Sequence, residues 1–524
     1  MNKEPVDEIH DAISSSYQQQ RPPQPPQHHD DSLSWCCRFP FGGNREALGY
    51  ALDSMARATV FACWGAFFLP TLQQMATEAT VAKCTSVEND TVQDNTIIHT
   101  SSGMTTILKL DCSNTENVRI HGIKPSSLLT TLLTIIGLIS AALAPIVGAW
   151  VDTTAHRRLL GRSLSAVLCM LMIPTIFLQP SNWFAMAMLF MILSFGFWIH
   201  TLLSFSYLPE LTNDPTELNQ YTRDISICTF VGMVSFLVII VGISAAAHLD
   251  DLTIAHLSQT MTFGLFAVST ITSWGFCFQT RPPARPAATN TNLWTAGFRQ
   301  LSKTLNKIHQ HYPALRWYYI GEGISNPAIG AMLVINMTFL SDVLQFTSQQ
   351  VGICVTIMLL FCIPGAMLSS YLTSTAVLNP LQTVLLSLVI MASAVTLTAG
   401  ILTGPNVAFW ALPFAAAWGV GMGCNFTCDR TVIASLLPPG QDSELMGLYL
   451  FVGQALNWLP SLIYTTMNEA GFAPNTGVAM LNVFFGLGFA AFVCVGNYRD
   501  AVDAANKTTN DERRAMNGEN NMQP

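Results

Sequence analysis

The chain has 524 residues, 50% of them hydrophobic and only 11% charged, where soluble proteins carry about a quarter. A mean hydropathy of +0.38 over that length excludes a single soluble core and requires many membrane-crossing segments of about 20 apolar residues each. The net charge of -8 sits in loops and tails, and no basic face suited to nucleic acid is present.

Residues 1–46 are polar and lack the apolar stretch of a signal peptide. Their Gln/Pro-rich run from Gln18 to His29 predicts a disordered tail. Cys36 and Cys37 read either as acylation sites or as ordinary cytosolic thiols. Twelve apolar segments follow, at 48–72, 127–151, 163–181, 183–207, 225–247, 259–279, 317–340, 348–370, 381–402, 407–427, 445–466 and 477–497. In lipid every backbone polar group must be bonded internally, so these are helices; the alternating pattern of a β-barrel is absent. The expected fold is an all-α membrane protein of twelve transmembrane helices in two six-helix halves, 47–279 and 317–497. A connector, 280–316, joins the halves, and a second tail, 498–524, ends the chain.

Loop charges set the orientation. With both termini in the cytosol, 19 of the 24 Lys and Arg fall on the cytosolic side and four on the other, all in loop 73–126; Arg57 lies within a span. Cationic loops resist translocation, so this bias predicts cytosolic termini and a lumenal or external loop 73–126. That loop carries a glycosylation sequon at Asn89 and two cysteines, Cys84 and Cys112, which are candidates for a disulfide in an oxidising compartment. In the connector, Leu293, Phe298, Leu301, Leu305 and Ile308 recur at near-helical spacing among Arg299, Lys303 and Lys307. The pattern predicts an amphipathic helix along the cytosolic membrane surface.

The halves echo one another. Ser206, Leu208, Pro209, Asp214, Glu217 and Leu218 after the fourth span reappear in order as Ser435, Leu437, Pro438, Asp442, Glu444 and Leu445 after the tenth. Tyr50 with Asp53 in the first span matches Tyr319 with Glu322 in the seventh. Repeated halves of this kind enclose a substrate path near the bilayer midplane.

Between the second and third spans stand Gly148, Asp152, His156, Arg157 and Arg158. The spacing resembles the loop signature of the major facilitator superfamily, with Ala155 in place of its second glycine and His156 in place of its first arginine. Glycine permits close helix approach, and the Asp and Arg groups can then latch cytosolic helix ends; the alternative is an ordinary basic turn. A closer resemblance is to the autophagy-related vacuolar amino-acid effluxers within that superfamily. It rests on Tyr207-Leu208-Pro209-Glu210-Leu211, on Asp429-Arg430-Thr431 followed by Pro438-Pro439-Gly440 and Glu444 to Tyr449, on Gly321-Glu322-Gly323, on Tyr50 to Asp53, and on Phe298-Arg299 in the connector. It runs in order over about residues 46–497. The resemblance implies export of amino acids, neutral ones first, from vacuole to cytosol after autophagic breakdown. Plasma-membrane residence is the alternative.

Three charges are expected inside the spans, where each costs several kcal/mol unless paired or hydrated: Asp53, Arg57 and Glu322. Asp53 and Arg57 are four apart and can pair on one helix face, which reads either as a self-neutralised structural pair or as part of a transport site. Glu322 has no countercharge on its own helix and is a candidate proton carrier, unless hydration near the helix end leaves it ordinary. Asn326 and Pro327 mark a polar bend in the seventh span, and Gln454, Asn457 and Pro460 mark an equivalent one in the eleventh. These amides are candidates for the substrate path or for plain interhelical bonds. His200 reads as structural. Asp429 and Arg430 are expected in a cytosolic loop that latches that side together with Asp152, Arg157 and Arg158.

No segment outside the spans is large enough for a catalytic domain, and no phosphate-binding Gly-rich loop or hydrolase motif occurs. Cys424 and Cys428 lack the His and acidic neighbours of a metal site. The expectation is a secondary transporter in the lipid bilayer, without enzyme activity, cofactor or metal, moving a small molecule by alternating access, with protons as the candidate coupling ion. A carrier of another small solute such as a sugar, drug or metal chelate, or a non-transporting receptor on the same fold, are the alternatives.

Overall fold

The computed structural model describes residues 41–93, 119, 122–154, 156–212, 215–280, 293–437 and 442–505. Cys36, Cys37 and Cys112 lie outside them. Asn89, Cys84 and Asp152 fall on described helical backbone, but their side chains do not belong to the described set.

The N-terminal half contains α1 (Arg45–Cys63), a π-helical turn Trp64–Phe68, α2 (Leu69–Gln93), α3 (Leu128–Thr153), α4 (Arg157–Met172), α5 (Trp183–Phe205), α6 (Pro215–Ala247) and α7 (Asp251–Thr272), which ends in a second π turn, Ser273–Cys277. The connector is α8 (Leu293–His311). The C-terminal half contains α9 (Pro313–Val343), α10 (Ser348–Ser374), α11 (Pro380–Ile401), α12 (Ala411–Leu436), α13 (Asp442–Ala455), α14 (Trp458–Glu469), α15 (Pro474–Ala479) and α16 (Leu481–Val493). Among the described residues ten helical stretches are long and apolar enough to cross a membrane. The remaining two of twelve crossings are α7 and the pair α13–α14. α7 is less apolar because Ser258, Gln259, Thr262, Ser269 and Thr270 turn inward, where they are buried. α13 and α14 are two short pieces of one crossing, interrupted at Leu456 and Asn457.

The first crossing differs from expectation. Its apolar stretch does not end at residue 72 but reaches Ala82, and the helix runs through the π turn and on to Gln93, so the loop before α3 is shorter than predicted. The tenth crossing also overruns: α12 reaches Leu436, which places Asp429 and Arg430 inside the helix rather than in a loop.

Local chemistry accounts for the helix starts. Thr347 with Gln350 and Asn379 with Gln382 form capping boxes before α10 and α11, and Asp250 caps α7 through the Thr253 amide. Hydroxyls within the helices bond the carbonyl one turn back, as Thr262 does to Ser258 and Thr356 to Gly352. Close packing comes from small residues, because lipid provides no hydrophobic drive between helices. A Cβ at Gly423 would lie 2.0 Å from the Cys362 carbonyl oxygen and one at Gly419 2.1 Å from that of Met358, so α10 and α12 touch along their backbones. In the N-terminal half, Trp64 packs edge-on against Phe190 and Phe197, and Phe197 against Phe266.

Candidate functional site

The buried carboxyls divide into two constellations, one in each half. In the N-terminal half, Asp53 of α1 is wholly buried. Arg57 Nε donates to its Oδ2 at 3.0 Å, as the spacing of four residues predicts. Ser204 of α5 donates to the same oxygen at 2.8 Å, and the Trp274 indole N–H donates to Oδ1 at 2.8 Å. Arg57 also reaches Ser204 Oγ at 3.2 Å. His200 Nε2 stands 3.7 Å from Asp53 Oδ1 and 2.9 Å from Ser165 Oγ. His200, read from the sequence as structural, thus belongs to the Asp53 constellation. A carboxylate with one cation and two further donors meets the requirements for a buried charge.

Trp274 reaches Asp53 because it sits in the π turn that ends α7, and such a turn re-aims side chains locally. The same turn exposes carbonyls that Arg158 and Arg162 hold: Arg162 Nε bonds Trp274 O at 3.0 Å and its Nη2 bonds Gly275 O at 2.7 Å, while Arg158 Nε bonds Trp274 O at 3.3 Å. Arg157, also buried, pairs with Glu210 at 3.1 Å. Of the predicted gate arginines, Arg157 and Arg158 are therefore engaged by residues of their own half. Gly148 has open space where a Cβ would point, so no close helix approach explains it.

In the C-terminal half, Glu322 of α9 and Asp429 of α12 come within hydrogen-bonding reach of each other, both buried. Tyr318 donates to Asp429 Oδ1 and, at 2.9 Å, to its backbone carbonyl; Tyr449 of α13 donates to Asp429 Oδ2. Among the described residues neither carboxyl forms a salt bridge. Arg430, the next residue, turns away to Ser226 of α6 in the other half. Two carboxyl groups can hydrogen-bond only when one carries the proton, since a carboxylate has no donor. The pairing was missed in the sequence because Asp429 falls past the last apolar residue of its segment. The available signal was its place in the repeat: the first and fourth crossings of each half supply the site, Asp53 with Ser204 in one and Glu322 with Asp429 in the other.

Asn326, one turn above Glu322, reaches the Gly453 carbonyl at 3.4 Å, and a Cβ at Gly453 would sit 2.7 Å from the Asn326 amide nitrogen. Gly453 therefore lets α13 approach α9 at the polar bend. Gln454 and Asn457 bond each other at the α13–α14 break, where Asn457 N–H turns back to Gln454 O at 3.2 Å. Unwound backbone at membrane depth is tolerated where it is buried in protein or lines a polar path. Asn326, Gln454 and Asn457 are thus brought to one stretch of the α9–α13 seam, above the Glu322–Asp429 pair.

Among the described residues a set of polar contacts joins the halves at the face away from the chain termini. There Arg119 pairs with Glu469 at 2.6 Å, the Lys124 amide donates to Glu469 at 2.7 Å, and Lys124 Nζ donates to the Asn468 carbonyl at 2.7 Å. Asn468 donates to Ser126 and Ser127, and Thr465 to Thr130. On the same face Gln73 donates to Asp342 at 3.1 Å, and the Thr71 and Ser348 hydroxyls bond at 3.1 Å. Glu469 is partly buried, which opposes ionisation. The Lys124 amide, the Ser127 hydroxyl and Arg119 outweigh this and hold the carboxyl below its ordinary range. Among the described residues no group of His, Cys, Asp and Glu is arranged to hold a metal.

The family model described as "Vacuole effluxer Atg22 like" matches residues 43–505. No curated protein matches the chain in sequence. Among solved structures, the human organic anion transporter MFSD10 (TETRAN) is 16% identical with a TM-score of 0.55, over 86% of this chain and 99% of that one. The inward-open xylose transporter XylE from E. coli is 11% identical with a TM-score of 0.53, over 86% of this chain and 95% of that one. A D-xylose-proton symporter is 10% identical with a TM-score of 0.53, over 87% and 97%. At these identities the likeness is one of fold, the two-halved transporter architecture.

Proposed function

The chain belongs to the Atg22-like vacuole effluxer family, and from that premise we propose that it returns amino acids from the lumen of a vacuole or lysosome-like compartment to the cytosol, coupled to protons. The single observation that carries the coupling is the Glu322–Asp429 pair. In the N-terminal half the buried carboxyl is neutralised by Arg57, whereas in the C-terminal half two carboxyls face each other and must share a proton to bond. Such a pair gains or loses charge as its proton moves, and charge inside lipid carries a large free-energy cost. Protonation can thereby bias the halves between two arrangements.

The hydrogen bonds across the face distal to the termini support a state sealed on that side. With the termini in the cytosol, as the charge bias predicts, the sealed side is lumenal and the path opens toward the cytosol. Arg430 on Ser226 is a contact across the opposite side, in keeping with a latch there. Asn326, Gln454 and Asn457 offer amide donors and acceptors suited to a small polar solute such as a neutral amino acid. Arg157 on Glu210, with Arg158 and Arg162 on the π turn, would stiffen the N-terminal half so that it rocks as one body. A disulfide between Cys84 and Cys112 and a glycan on Asn89 would both lie on the lumenal side.

Uptake of labelled neutral amino acids into proteoliposomes, with and without a pH gradient, tests this reading. Saturable, gradient-dependent flux is the expected result. Absence of flux for every amino acid, from protein shown to be folded, would leave the family and fold standing and remove the substrate class.

A further inference from the structure

The connector helix α8 has one face that the bundle covers and one that it leaves open. On the covered side Gly297 lies against α3 so closely that a Cβ there would sit 2.0 Å from the Pro145 carbonyl oxygen; Thr304 and Ile308 are buried on the same side. On the open side Phe298 is 46% and Leu305 44% exposed. They are two turns apart and so stand in line, and the exposed Arg299 and Lys303 form a neighbouring line about 100° round the helix. Lys307 is half-buried on the far flank. No Asp or Glu occurs between Leu293 and His311, and among the described residues none of the three cations has an ion-pair partner.

We propose that this open face of α8 binds the headgroups of anionic phospholipids. Unpaired cations call for anionic partners, and the flanking row of Phe298 and Leu305 selects a surface with an apolar interior beneath its charges. The position fits as well. Backbone bonds run from α8 into α9 with little interruption, Tyr312 N–H to Ile308 O at 3.0 Å and Arg316 N–H to Tyr312 O at 2.9 Å, and α9 is a membrane-crossing helix. α8 therefore ends where α9 enters the membrane. The long stems of Arg and Lys let the charges reach headgroups while the apolar pair stays lower.

The consequence is mechanical. α8 is wedged onto α3 of one half through Gly297 and is continuous with α9 of the other, so lipid held on its outer face acts on the joint between the halves.

The test uses the full-length protein in vesicles of phosphatidylcholine doped with a photoactivatable phosphatidylglycerol or, in a parallel sample, the matching photoactivatable phosphatidylcholine. Adducts are mapped by mass spectrometry. Residues 293–311 should be labelled severalfold more, about fivefold, by the anionic probe, and Arg299→Gln/Lys303→Gln/Lys307→Gln should remove that preference. Equal labelling by both probes, or a preference unchanged in the triple variant, would overturn the proposal. Should the variant fold poorly, the ratio for the unaltered protein decides alone. No transport is measured, so the result stands apart from the substrate assignment.

Discussion

Glu322 on α9 and Asp429 on α12 meet carboxyl to carboxyl inside the C-terminal half, with Tyr318 and Tyr449 both donating to Asp429. The first carboxyl of the N-terminal half, Asp53, instead holds Arg57 at 3.0 Å. One repeat of the chain thus sets its buried acid beside a fixed cation and the other beside a second carboxyl. Only the second arrangement can change charge without breaking an ion pair.

The Asp53–Arg57 pair is expected to be structural. Arg57→Met leaves a buried carboxylate without its cation, which costs about 3–5 kcal/mol, so the thermal midpoint in detergent should fall well below that of the parent. Adding Asp53→Asn should recover most of the loss. A single Arg57→Met variant as stable as the parent would show that the pair contributes nothing to folding.

Gly161 of α4 holds Trp274 in place. A Cβ at Gly161 would sit 2.1 Å from the Trp274 ring, whose indole N–H serves Asp53. Gly161→Leu must displace that ring, adding overpacking of about 1–3 kcal/mol to the loss of a charged hydrogen bond of about 1.5–3 kcal/mol. Thermal unfolding checks the total, and Gly161→Ala should fall between the two. If Gly161→Ala and Gly161→Leu both match the parent, Trp274 is not held by this contact.

The distal seal should respond to acid through Glu469. Its carboxyl is held below the ordinary value of 4.5, because the bonds from the Lys124 amide, the Ser127 hydroxyl and Arg119 outweigh burial. A depressed carboxyl contributes stability that is fully present above the ordinary value and is lost as pH falls through the lowered one. The pair is partly exposed, so about 1 kcal/mol is at stake. A cysteine placed at Thr130, buried beneath the seal, should react faster with an impermeant maleimide below that window once its rate is divided by that of a fully exposed cysteine, which corrects for the loss of thiolate in acid, and Glu469→Gln should give the higher ratio at neutral pH. A Glu469→Gln rate equal to that of the parent would contradict the seal.

Asn89 reports the orientation. If loop 73–126 faces the lumen, deglycosylation should increase the mobility of the parent protein on a gel, and Asn89→Gln should give the faster band without enzyme. A parent insensitive to deglycosylation, together with an N-terminal tag protected from protease in sealed vesicles, would reverse the assigned topology.

The all-helical class, the crossing segments and the Asp53–Arg57 pair were legible in the sequence because they follow from apolar length and from spacing along one helix. Glu322 stood out as a lone charge in an apolar run. Its partner did not, since Asp429 lies past the segment 407–427 read as the tenth crossing, although α12 continues beyond it to Leu436, and pairing across helices leaves no mark in local spacing. Trp274 and His200 were hidden for a similar reason: a π turn and a neighbouring helix bring them to Asp53, and residue type alone gave His200 the blander reading. The break at Asn457 was foreshadowed by Pro460 and the two amides, although hydropathy alone draws that crossing as one helix.

The central claim is that Glu322 carries the coupling proton. The most direct measurement is amino-acid uptake into proteoliposomes by the parent and by Glu322→Gln, each with and without an imposed pH gradient. Glutamine keeps the size and hydrogen bonding of the side chain but cannot ionise. The account predicts that the gradient accelerates the parent, and that Glu322→Gln, folded to the same thermal midpoint, either fails to transport or does so at a rate the gradient leaves unchanged. A variant that still accelerates with the gradient as the parent does would contradict it.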